Sequence, residues 1–293
     1  MAVRSPAMAT HDVEARVVMA RVARTFDLAT RLLPREVRPD VRRLYLVLRT
    51  LDDLVDHADP DAVRRLAQVE AWARGGPAAG RESELLDDLA ARHPDLPRDA
   101  VVDFCLGMRS DLAGPRHATA MDLDRYCYRV AGTVGRLMAP LLGVRGGDAH
   151  AADEAARALG AAMQRTNILR DLREDARAGR VYLPDDRLAS VDLAPGDAVA
   201  ILGLPAWPLD RRRALLGPEI ARADADYARG LEGVDLLARG RTGILSAGTM
   251  YRGILREIER DAWGRSGRRA AVPRRRKLWL LAGAMTRGPR DRY

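Results

Sequence analysis

The chain has 293 residues, 47% of them hydrophobic and 31% charged, which is enough apolar side chain to bury a large core and too much for a disordered polymer. Its formal charge is +8, but among 49 basic residues only Lys277 is lysine; 48 arginines beside abundant alanine read as a compositional bias, and no nucleic-acid partner is expected. Cys105 and Cys127 share no metal-binding spacing, so a disulfide framework and a thiolate metal site are excluded and a reduced, cytoplasmic setting is expected.

Met1 to Thr10 is short and mixed, lacks the apolar run of a signal peptide, and is expected to be disordered. No window reaches about 18 uncharged apolar residues, so no membrane-spanning helix is expected. From His11 onward Ala, Leu, Arg and Glu recur with a helical period, broken by Pro and Gly, and no alternating β segment of useful length is found. The expectation is a single all-α domain covering residues 1–293. A first helix from Asp12 to Leu32 is broken at Pro34, and Pro39-Asp40 opens a second that runs to Asp56. Pro60-Asp61 begins another, ended by Gly75-Gly76-Pro77. Glu82 to Arg92 and Pro97 to Leu112 follow.

Leu123 to Leu142 reads as one apolar helix containing Gly132 and Gly135. Each interior glycine costs about 1 kcal/mol against alanine, so something is expected to approach the backbone there, either a neighbouring helix or a ligand. Ala151 to Arg177 is a long helix, Gly179 to Pro184 the loop that leaves it, and Arg211 to Leu237 and Ile244 to Trp263 complete the pattern. The tail, residues 268–293, is strongly basic with the apolar insert Leu278 to Leu281. It is expected to form a solvated end to the last helix, with peripheral contact to anionic lipid as the alternative.

Two of these helices carry carboxylates in an unusual pattern. In Gln164-Arg-Thr-Asn-Ile-Leu-Arg-Asp171-Leu-Arg-Glu-Asp175, residues Gln164, Asn167, Asp171 and Asp175 share an arc of roughly 80°. Carboxylates one helical turn apart repel by roughly 3 kcal/mol at an effective dielectric of 20, so the pair is either solvated or given a cation. Arg49-Thr-Leu-Asp52-Asp53-Leu-Val-Asp56 repeats the arrangement, with Tyr45 one turn earlier. Hard divalent cations take oxygen ligands, and magnesium accepts one or two carboxylates and completes its shell with water and phosphate oxygens. Two such helices with adjacent arginines form a plausible diphosphate receptor; two unrelated acidic surface turns are the plainer reading.

At these residues the chain resembles the squalene and phytoene synthase family, over about Ala23 to Leu281. Arg49 to Asp56 is similar to the family's first aspartate motif, Gln164 to Pro184 to its second, and Tyr126-Cys-Tyr-Arg-Val-Ala-Gly-Thr-Val-Gly135 to its central substrate-lining helix. The resemblance implies a class I isoprenoid synthase helical fold with a central cavity. It implies that Asp52, Asp56, Asp171 and Asp175 bind magnesium (manganese as an alternative) and that Gln164 and Asn167 line the same cavity. It further implies that Arg49, Arg170, Arg180 and Arg269 (or Arg268) hold phosphate oxygens, and that Tyr45, Tyr182 and Tyr251 stand at the pocket mouth or wall, Tyr182 among the catalytic groups. Tyr126, Val130, Val134 and Gly135 would contact a C15 or C20 prenyl chain. Thr25 is the hydroxyl kept from a hydroxyl-rich stretch usual in the family, and Ala23 and Asp27 depart from it.

The implied activity is the magnesium-dependent head-to-head condensation of two prenyl diphosphates. No dinucleotide fingerprint or phosphate-binding loop motif occurs, so no nicotinamide cofactor is expected and a phytoene-type or presqualene-type reaction is preferred to a reductive one. The competing readings are transfer of one prenyl group to a small aromatic acceptor, and a helical metal- or lipid-binding protein without catalysis.

Overall fold

The computed structural model describes residues 30–287; Thr25, Ala23, Asp27 and the first expected helix up to residue 29 lie outside this range. Among the described residues helices are joined by short loops, and the β structure is one isolated bridge between Val144 and Leu237.

Helix α1 (Arg38–Asp56) starts with Pro39 in its first turn, where a missing N–H costs nothing. Leu44, Val47, Leu51 and Leu54, spaced three and four apart, are buried, which leaves Tyr45, Arg49, Asp52 and Asp56 together on another face. Helices α2 (Ala62–Ala73), α3 (Arg81–Arg92) and α4 (Arg98–Leu112) pack around α1 over a core that includes Trp72 and Phe104. Gly75 ends the α2 region with φ +96°, a conformation that glycine adopts without strain.

The expected helix from Leu123 to Leu142 is three pieces. Helix α5 (Ala120–Cys127) opens with a capping box between Thr119 and Asp122; a π-turn, Tyr128–Gly132, then leads into α6 (Thr133–Leu142). The wider turn lies where the chain presses on α7 (Ala149–Arg177), whose start Asp148 caps by accepting the Ala151 N–H. A Cβ on Gly135 would lie 2.0 Å from the Ala156 carbonyl oxygen, and one on Gly160 2.1 Å from that of Ala131. These glycines let two helix backbones touch. For Gly135, helix packing therefore replaces the expected prenyl-chain contact, because the direction a side chain would take is filled by α7.

Helix α7 is the hub. It packs against α5, the π-turn and α6 on one side, and on the other against α9 (Ala198–Leu202), α10 (Leu209–Glu232) and α11 (Arg241–Arg260). Short helix α8 (Asp185–Ala189) follows α7 in the chain. A second core of α7, α10 and α11 includes Tyr227, fully buried and 2.9 Å from the Thr166 hydroxyl. Buried Arg165 ties the hub down by donating to Asp124 of α5 and to Glu219 of α10.

The tail departs from expectation. Helix α11 ends at Arg260, and after Ala262 and Trp263, both at positive φ, the chain turns into a separate helix, α12 (Arg274–Arg287). Val272 and Leu280 seat this segment against α11 at Gly253, so it is more than a frayed helix end. Among the described residues no helix is long and apolar enough to cross a membrane.

Candidate active site

The two carboxylate stripes meet across Arg180, which with Tyr182 belongs to the loop that leaves α7. On α1, Arg49 is half-buried and bonds Asp52 (2.6 Å) and Asp53. Burial pushes the Asp52 carboxyl up to about 6; Arg49 opposes this and the neighbouring Asp56 and Asp53 add to it. On α7, burial acts on Asp171 in the same direction but is outweighed by two guanidiniums, so its carboxyl is held below the usual range. Arg170 grips it at 2.8 and 2.5 Å, and Arg269, reaching in from the segment before α12, at 2.5 and 3.0 Å. Asp175 is driven up to about 6 by burial, then by Asp171, Glu174 and, from the other helix, Asp56.

That Asp56 acts on Asp175 brings the two stripes to one place. Arg180, in the loop leaving α7, spans them: its Nη1 lies 3.5 Å from Asp56, and it also hydrogen-bonds Tyr182. Gly179 supplies the turn before it with φ +74°. Tyr182 packs against Tyr126 of α5 with ring centroids 5.4 Å apart and planes tilted by 31°, and Leu123, Cys127 and Ile168 complete a small buried cluster with them. Val130, on the π-turn, packs against both this cluster and the α1–α4 core, and Val134 packs against that core alone. On the far rim Tyr251 of α11 hydrogen-bonds Arg170 and acts electrostatically on Tyr45, whose hydroxyl is raised to about 12 chiefly by burial. Asn167 donates to Gln164 at 3.3 Å while its Oδ1 is buried without a partner.

Two neighbours escaped the sequence reading. Asp111, at the end of α4, accepts the Tyr126 hydroxyl at 3.1 Å, and burial, helped by Asp52 and Asp56, pushes its carboxyl up to about 7. His117 lies 4.9 Å from the Tyr126 ring and 6.4 Å from that of Tyr182; burial lowers its pKa. Neither belongs to a spaced motif, since one ends a helix and the other sits in the loop after it.

The donor set suits a hard cation. It is made of oxygens, two of the four carboxyls are raised toward neutrality by burial and mutual repulsion, and the buried Asn167 oxygen has no donor. Among the described residues no three acidic, His or Cys side chains converge as a ready-made cage, and arginines occupy three of the four aspartates. This arrangement fits magnesium, which takes few protein ligands and keeps sites for water and phosphate oxygens.

Comparison with known proteins identifies the family and the fold. A family model described as squalene/phytoene synthase matches residues 19–276. The chain is 36% identical to the 15-cis-phytoene synthase of Synechococcus elongatus, covering 94% of this chain and 92% of that one. It is 39% identical to the phytoene synthase of Thermus thermophilus, with 92% and 90% covered. Maize phytoene synthase 3 is 37% identical, and the match spans 64% of its length. Among solved structures, a dehydrosqualene synthase in complex with ligand superposes with a TM-score of 0.82 at 25% identity, covering 96% of this chain and 97% of that one. The squalene synthase of Alicyclobacillus acidocaldarius shares the fold, with a TM-score of 0.74 at 23% identity and coverage of 89% and 97%.

Proposed function

The chain belongs to the squalene/phytoene synthase family of prenyltransferases, and on that premise we propose that it joins two C20 prenyl diphosphates head to head, the phytoene synthase reaction, with magnesium as cofactor. The observation that carries the reading is the electrostatic meeting of the α1 and α7 aspartates across Arg180, beside a wall of buried tyrosines. Asp52, Asp56, Asp171 and Asp175 would hold magnesium, which supplies positive charge to the departing diphosphate. Arg49, Arg170, Arg180 and Arg269, which neutralise aspartates in this structure, would grip diphosphate oxygens, a task suited to forked N–H pairs.

Ionising an allylic diphosphate leaves a carbocation that water would capture. Tyr126, Tyr182 and Val130 would exclude water from it, with Val134 behind them. Gln164 and Asn167, on the same α7 face as Asp171, would orient the headgroup, and Tyr45 and Tyr251 would close the rim. Charge balance also requires protons to leave the hydrocarbon; the Tyr126 hydroxyl, donating to Asp111, gives one path away from it.

The test is to incubate the purified protein with magnesium and either C20 or C15 diphosphate and to extract the products for mass spectrometry. The C20 donor is expected to give a C40 hydrocarbon and to be preferred. Prenyl alcohol as the sole product would overturn the proposal, and a singly prenylated product formed only when a small aromatic acceptor is added would move the protein to the small-acceptor reaction.

A further inference from the structure

A second charged cavity lies behind the carboxylates. On α7, Arg173 and Arg177 stand roughly 140 to 180° around the helix from the Asp171 and Asp175 stripe. With Arg170, Arg268 and Arg269 they line a pocket of about 70 Å³, floored by Leu172, Leu216 and Ile258. That is room for about five water molecules, on the scale of a small oxyanion.

The charge in this pocket is largely uncommitted. Arg173 donates to the Gly267 carbonyl, but its Nε is buried with no partner. Among the described residues Arg177 and Arg268 have no ion pair. The two carboxylates on the wall have partners already: Glu174 lies 3.5 Å from Arg269, and Asp261 accepts the Ser266 N–H at 3.1 Å and its hydroxyl at 2.8 Å. A buried guanidinium donor left unmade costs more than one left in water, and an oxyanion supplies the missing acceptors.

We propose that this pocket is a second anion site, taking a phosphate-type oxyanion, inorganic diphosphate foremost, without a metal. The choice of diphosphate rests on the proposed reaction, which releases it on the other face of α7. Arg170 and Arg269 join the two sites, because both line the pocket and both grip Asp171. The segment that carries Arg268 and Arg269 is seated by Gly267, where φ is +64° and a Cβ would come within 2.3 Å of Arg173 Nη1.

Calorimetric titration of the full-length protein in EDTA with inorganic diphosphate, and separately with inorganic phosphate, tests this directly. Saturable binding of diphosphate at one site is expected, weakened at least about tenfold in Arg177→Gln and in Arg268→Gln and retained in Arg49→Gln. Arg177→Gln is expected to keep the wild-type rate at saturating prenyl diphosphate. Absence of saturable binding without metal, or wild-type affinity in both arginine variants with unchanged circular dichroism, would overturn the proposal. Loss of binding in Arg49→Gln alone, an arginine of the carboxylate site that does not line this pocket, would assign the anion to that site and overturn the proposal equally. Failure of the proposed function reads out elsewhere, as a missing C40 product, because this titration contains no prenyl substrate.

Discussion

Asp52, Asp111 and Asp175 are all held above the ordinary carboxylate range, each chiefly by burial, so each opposes the metal-free fold as it ionises. Their folded pKa values lie above the unfolded one, so the stability they contribute is complete below about 4 and is lost as pH rises through 6 to 7. The melting temperature of the EDTA-treated protein should therefore fall between pH 4 and pH 7 and level off above. Asp111→Asn should melt higher than wild type at pH 8 and show a smaller fall; a variant less stable than wild type at pH 8 would contradict the account. Asp52→Asn and Asp171→Asn should each lower kcat by at least about a hundredfold with helical content unchanged, since a group that serves leaving-group charge is lost. Arg170→Lys should raise KM for the diphosphate, because an ammonium cannot reproduce the fork; an unchanged KM with lowered stability would make Arg170 a structural partner of Asp171. The carboxylate stripes were legible in the sequence because i, i+4 spacing fixes a shared helix face. Asp111 was not legible, since what distinguishes it is burial beside Tyr126, and burial at a helix end depends on what the following loop covers.

Elements were read closely where a breaker marks the boundary and poorly where the chain changes helical pitch. Pro39, Gly75 and Pro97 sit at the edges of α1, α2 and α4. The π-turn at Tyr128–Gly132 has no such mark: one extra residue in a turn leaves an apolar stretch apolar, so Leu123 to Leu142 reads as a single helix. Glycine was equally ambiguous, since lack of a side chain serves a ligand and a helix neighbour alike. The structure chooses the neighbour for Gly135, with the Ala156 carbonyl in the path of any Cβ. Gly135→Ala should accordingly destabilise the protein by about 1 to 3 kcal/mol through overpacking and lower activity on C15 and C20 donors in equal proportion. A shift in the C15 to C20 ratio at unchanged melting temperature would return Gly135 to the hydrocarbon wall. The seating of the α12 segment is not legible in the sequence, because a basic composition hides the apolar contacts of Val272 and Leu280 on α11.

Across the whole molecule, the all-α class followed from helical periodicity without alternation, and the resemblance to the family followed from two motifs more than a hundred residues apart. Their convergence was implied by that resemblance; periodicity alone places residues on a face but does not say which faces meet. The meeting is made by α7, which packs against both halves of the core and puts its carboxylate face toward α1. The central claim is that this single site consumes two prenyl diphosphates for each hydrocarbon made. The most direct measurement is the ratio of diphosphate released to C40 product formed, taken from the same reaction with magnesium and C20 diphosphate. Two diphosphates per C40 hydrocarbon are expected, and a ratio of one, with the second diphosphate still carried by the C40 product, would contradict this.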